Sequence, residues 1–135
     1  MYIRHQKITI IRTVVPRQQT INNELQYLGI SLGLFNLRDK DKSRFRLFIE
    51  LLKAAKKGEP LSSDEIASRL GLSRGTVVFH LNRLMEAGIV ISQRGKYMLR
   101  VKNLAALIDE LEQDIHQTCH QLKKIAQDID KQLEL

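Results

Sequence analysis

The chain has 135 residues, 43% hydrophobic and 27% charged, the balance of a folded domain rather than a disordered one, and it is too short for two ordinary domains. Lys and Arg number 22 against 15 Asp and Glu, a formal net charge of +7, and a single cysteine excludes an internal disulfide framework. No apolar run approaches the roughly 18 residues needed to cross a bilayer, and Met1 to Val15 has neither the apolar core nor the cleavage site of a signal peptide, so a cytoplasmic protein with no membrane partner is expected.

The charge is unevenly divided. Residues 1–100 hold 18 Lys and Arg against 8 Asp and Glu, whereas residues 101–135 hold 4 against 7. A basic body with a mildly acidic tail attracts polyanions by neutralising phosphates and releasing counterions. Aromatic residues are only 5% and Trp is absent, which argues against stacking along a single nucleic-acid strand.

Residues 1–40 form an N-terminal arm and helix. Ile8 to Val15 has the β-branched composition of a short strand that Pro16 ends, and Arg4, Lys7, Arg12 and Arg17 punctuate it; the segment is expected to pack on the body or to offer those cations to phosphate. Thr20 reads as the N-cap of a helix carrying Leu25, Leu28, Leu32 and Phe35, with Gly29 and Gly33 placed to admit another helix. Asn36 to Lys42 is a polar linker.

A second helix is expected from Ser43 to Lys57, burying Phe45, Phe48, Leu51, Leu52 and Ala55 and ended by Gly58 and Pro60. Ser62 and Glu65 make a capping box ahead of Ile66, Ala67 and Leu70. Gly71 breaks that short helix, Ser73 caps the next, and Val77, Leu81 and Leu84 give it an apolar face, with Ala87-Gly88 closing it. Helix, glycine turn, helix is the arrangement that sets a second helix into a major groove. The period then changes to two: Ile89–Gln93 and Lys96–Val101 are strands joined by Arg94-Gly95, a hairpin with a cationic tip. Residues 43–101 are therefore expected to be a winged helix-turn-helix domain in a mainly α chain with one small β-hairpin.

From Asn103 the sequence has neither Gly nor Pro. Leu104, Ile108, Leu111, Ile115, Thr118, Leu122, Ile125, Ile129 and Gln132 alternate spacings of four and three, about four heptads over residues 103–133. Such a helix is on the order of 45 Å long, too long to bury its stripe on the body alone. It predicts a homodimer through Leu104, Ile108, Leu111, Ile115, Leu122, Ile125 and Ile129.

Ser43 to Val101 resembles the ArsR-like winged-helix transcription regulators, whose signature runs S-x-P-T-V-S-x-H-L-x-x-L-x-x-A-G-L-V. Here LSRGTVVFHLNRLMEAGIV matches at Ser73, Thr76, Val77, His80, Leu81, Leu84, Ala87, Gly88 and Val90, a pattern much of which MarR-like relatives share. Gly75 stands where the family has Pro and Val78 where it has Ser. The resemblance implies double-stranded DNA as partner, a repressor role at promoters, and Ser73, Arg74, Thr76 and His80 on the groove side of the second helix. The residues themselves point to much the same set. With Val77, Leu81 and Leu84 inward, Arg74, Thr76, Val78, Phe79, Asn82 and Arg83 face outward. Arg74 suits a guanine edge, Arg83 a phosphate, and Arg94 and Lys96 the backbone or minor groove. His80 is open between phosphate and a neighbouring backbone group, and Phe79 between a thymine methyl and packing.

The resemblance also raises metal sensing, but the helix-turn-helix has no cysteine, and Asp114 and His116 match only half of the family's last-helix pattern, Gln127 standing where a His is needed. His116, Cys119 and His120 form a metal-ligand constellation without a fourth ligand, so no metal or other cofactor is expected. No Gly-rich phosphate loop or nucleophile with a base is present, so no enzyme is expected. Two other functions fit the same elements: a winged domain used for protein–protein assembly, and a non-specific chromatin-type DNA binder.

Overall fold

The computed structural model describes residues 5–36, 38 and 41–135. In chain order the elements are α1 (Ile21–Ser31), α2 (Ser43–Lys57), α3 (Ser63–Leu70), α4 (Arg74–Glu86), β1 (Val90–Gln93), β2 (Lys96–Leu99) and α5 (Leu104–Leu133). This is a winged helix-turn-helix with an added N-terminal helix and a long C-terminal helix.

Local chemistry sets most boundaries. Thr20 accepts the Asn23 N–H at 3.2 Å, Ser62 and Glu65 complete a reciprocal capping box, and Asn103 accepts the Ala106 N–H at 2.9 Å. Ser43 begins α2 with its backbone N–H and its hydroxyl both donating to Asp41. At Gly29 the side chain must be absent: a Cβ there would sit 2.7 Å from both Phe35 and Phe45, which pack edge to face with centroids 4.9 Å apart. Gly29 thus admits the ring of Phe45 from α2, the close approach of another helix expected of it, together with that of Phe35, whereas Gly33 lies beyond the end of α1.

The core is built around α2. Leu47, Phe48 and Leu51 are fully buried and pack with Ile66 of α3, Val77, Leu81 and Leu84 of α4, Ile89, Val90 and Leu99. β1 and β2 pair antiparallel with Val90 opposite Leu99 and Gln93 opposite Lys96. Arg94 and Gly95 both take positive φ, 54° and 75°, as a type I′ turn requires. Leu61 adds a partner that the alternation pattern did not reveal: it exchanges backbone hydrogen bonds with Tyr97 at 3.0 and 2.7 Å, tying the wing to the segment just ahead of α3.

The segment expected as a strand, Ile8 to Val15, is not one. Among the described residues it pairs with no strand: within it the Ile11 N–H donates to Ser31 O at 2.7 Å, and just ahead of it the Lys7 N–H donates to Glu86 O at 2.9 Å. It is an arm hydrogen-bonded to the ends of α1 and α4 and exposed from Ile10 to Val15. Arg4 falls outside the described residues, as do Leu37, Asp39 and Lys40 of the linker.

The apolar stripe of α5 divides. Leu107 and Leu111 are buried in the body and Leu104 packs beside them, so Leu104 and Leu111 serve the chain's own core where a seam to a second copy was expected. From His116 onward every residue is exposed, including Leu122 at 61% and Ile125 at 60%. One ionic cluster anchors the helix. Arg100 donates to both Asp114 oxygens at 2.5 and 3.2 Å and lies 3.3 Å from Glu110, while Gln6 donates to Asp114 at 2.9 Å and to Ala87 O at 3.1 Å. The hydrogen bonds from Arg100 lead those from Gln6 in holding the Asp114 carboxyl below the usual carboxylate range.

Because Phe48 is the largest fully buried side chain of this core, Phe48→Ala should lower stability by about 3–5 kcal/mol, against less than about 0.5 kcal/mol for exposed Lys57→Ala, measured by urea unfolding followed by circular dichroism.

Candidate nucleic-acid interface

The three-residue break Gly71 to Ser73 sets α4 across α3, with its first turn exposed. Ser73 caps that turn: its hydroxyl oxygen accepts the Thr76 N–H at 3.1 Å and its O–H donates to Thr76 Oγ1 at 2.8 Å. Both hydroxyls predicted to face a groove are therefore engaged in holding the helix start while remaining accessible at its surface. Arg74 extends from there with its side chain 73% exposed, 3.6 Å from Asp64 Oδ1 of α3. Gly75 beside it has nothing within 4 Å of a would-be Cβ, so the helix backbone is open to close approach.

The wing tip, Arg94 to Lys96, is exposed. Glu65 links it to α3 electrostatically. Its carboxyl is held below the usual range first by the hydrogen bonds it makes with Ser62 and then by the positive charges of Lys96 and Arg69. The first turn of α3 thus carries Asp64 against Arg74 and Glu65 within the field of Lys96. Glu65 reads in the sequence only as a capping acid and Asp64 carries no sequence signal, yet both carboxylates temper the cationic elements beside them.

Farther along α4, Arg83 lies over the Phe79 ring at 5.3 Å and 3.9 Å from Glu86. Phe79 is 50% exposed, and Arg44 of α2 approaches its ring at 5.9 Å. Phe79 is thus neither buried nor free of packing. His80, which the resemblance places on the groove side, is only partly buried and bonds within the chain. It turns toward α2, where its Nδ1 accepts from Arg44 Nε at 3.2 Å and its ring meets Phe79 edge-on at 5.4 Å. The reason is helical geometry: a residue three before Arg83 and one before Leu81 lies at the margin of the buried face. Arg44 could have been found only by knowing that α2 crosses α4 at this point.

On α5, His116, Cys119 and His120 are all exposed, and among the described residues no group of three or more His, Cys, Asp or Glu side chains is arranged to hold a metal ion.

Burial, followed by the neighbouring charge of Arg44, depresses the His80 pKa, with Asp41 opposing. A histidine that protonates more readily when unfolded costs stability as the pH falls below its unfolded pKa of about 6.5. The urea midpoint should therefore fall on acidification through that value, and His80→Asn, whose amide oxygen still accepts from Arg44 but does not titrate, should flatten this part of the profile.

Comparison with known protein families agrees with the geometry: residues 41–93 match the family model described as a helix-turn-helix domain. No curated protein matches the chain. The match spans α2, α3, α4 and β1, and with the paired hairpin that follows, it establishes that this chain carries a winged helix-turn-helix domain.

Proposed function

We propose that the chain is a sequence-specific, double-stranded DNA-binding transcriptional regulator of the ArsR-like type, acting in the cytoplasm as a homodimer and repressing by occupying promoter DNA. The observation that carries this reading is the pair of exposed cationic elements, Arg74 at the start of α4, 3.6 Å from Asp64, and the Arg94–Lys96 wing tip, in a helix-turn-helix domain. In this reading α4 enters the major groove, Arg74 takes a guanine edge through its two-pronged guanidinium, and the wing reaches the backbone or minor groove. Arg83 contacts phosphate. The Arg74–Asp64 pair is no obstacle, since an exposed ion pair contributes only about 0–1 kcal/mol and a base edge or phosphate readily replaces it.

The dimer is supported by the exposed half of α5. Leu122, Ile125, Ile129 and Leu133 are 47–64% exposed on a helix whose last turns are exposed throughout, and a second copy would bury them in a two-stranded coil. Ile108 and Ile115 extend this stripe toward the body, and paired domains would read a site of two-fold symmetry.

Arg74→Ala should cost about 1–3 kcal/mol on the selected site and relax preference at one base pair, whereas Lys96→Ala should weaken all duplexes alike and reduce the salt slope by about one; Asp64→Asn should strengthen binding. Selection from random duplexes followed by salt-dependent titration measures all three, and affinity insensitive to salt would refute the model. Leu122→Lys with Ile129→Lys should yield single chains in sedimentation and reduce affinity for a symmetric site on the order of a hundredfold, leaving the half-site interaction intact.

A further inference from the structure

What α4 buries fixes what it presents. Val77, Leu81 and Leu84 are at most 1% exposed, and Gly75, Phe79 and Asn82 are all exposed. At about 100° per residue these two sets lie on opposite sides of the helix, so Phe79 stands directly away from the core. Arg74 and Arg83 occupy the two margins of that outward side, the first beside Asp64 and the second over the Phe79 ring at 5.3 Å. The surface is therefore cationic at its edges and uncharged along its middle, with an aromatic ring at the centre.

Neither Gly75 nor Phe79 holds its place for the sake of the fold. A Cβ at Gly75 would meet nothing within 4 Å, and alanine is the better helix former, so the chain's own packing gives no reason for a glycine there. Phe79 is 50% exposed, and its ring is met by the side chains of Arg44, Arg83 and His80, which are polar. With no side chain at Gly75, one turn earlier on the same side, the ring projects clear of the helix.

The base edges in a major groove display donors, acceptors and one apolar group, the methyl at C5 of a pyrimidine, present in thymine and in 5-methylcytosine. An exposed ring between two guanidinium groups suits that methyl, because the cations remain available to the groups on either side. We propose that Phe79 is a specificity-determining residue that reads the C5 methyl of a pyrimidine, and that Gly75 allows α4 to approach the base edge closely enough for it. The inference rests on the DNA reading above and adds to it the chemical group recognised at the middle of α4.

The test uses the full chain and the duplex it selects from random sequence. Selection should enrich a thymine, and its replacement by deoxyuridine, which lacks only the methyl, should weaken binding about three- to fivefold, the effect of one buried methyl group. With cytosine at that position, 5-methylcytosine should bind more tightly than cytosine by a similar factor. Both differences should vanish in Phe79→Ala, with a thermal midpoint within a few degrees of the parent, whereas Lys96→Ala should weaken every duplex and keep them. Gly75→Ala should leave the thermal midpoint unchanged or raise it, yet bind the selected duplex several-fold more weakly. Indifference to the methyl on either pyrimidine, or a methyl effect that survives in Phe79→Ala, would overturn the assignment while leaving DNA binding intact. Undiminished affinity in Gly75→Ala would remove that glycine from it. A chain that holds no duplex at any salt concentration would overturn the DNA reading and this inference together.

Discussion

Burial of one face of α2 is the constraint on which the rest of the molecule depends. Leu47, Phe48 and Leu51 have no exposure, and each removes about 1.5–3 kcal/mol of apolar surface from water. Their shared neighbours come from α3, α4 and the hairpin. The angle between the two helices of the helix-turn-helix and the set of the wing are therefore consequences of how these three side chains are covered. Close packing makes that arrangement discrete rather than continuously adjustable. The exposed residues of α4 owe their direction to a surface they never touch.

Charge is used in two ways in this chain. Arg100 is nearly enclosed and paired with Asp114 through two hydrogen bonds, an arrangement in which loss of either partner leaves a costly uncompensated charge. It sits where the wing ends, and through Gln6 and Asp114 it joins the arm, the close of α4 and the rooted half of α5. Arg74, Arg83, Arg94 and Lys96 are the opposite case: exposed and at most weakly paired, they contribute little to folding and are free to exchange partners. Asp64 and Glu65 belong to both groups, starting α3 favourably at its positive end while moderating the cations beside them.

Where the signal was local, the sequence was sufficient. Caps at Thr20, Ser62, Ser73 and Asn103, the left-handed Arg94-Gly95 turn and the change of period after Gly88 each involve residues within four positions of one another, and the elements they delimit lie where expected. The arm failed for an equally physical reason. Ile8 to Val15 has strand composition, but a strand is defined by its partner, and the Ile11 N–H within it finds the Ser31 carbonyl at the end of a helix instead. Leu61 escaped notice because a single residue pairing with Tyr97 leaves no periodic trace. His80 matched its motif position, yet the contact with Arg44, 36 positions away, decides what its ring does.

The heptad pattern of the tail shows the division most clearly. Side-chain order along α5 is a property of the helix alone, so the apolar stripe and its length follow from the sequence. Which part of that stripe faces the chain's own body is a property of the body's shape: Leu104, Leu107 and Leu111 reach the core, and the helix then runs past the edge of the surface that could cover it. Hydrogen bonding and periodicity act over a few residues and are written in order along the chain. The Arg100 clamp and the contact of His80 with Arg44 arise between residues far apart in that order, and only the folded arrangement brings them together.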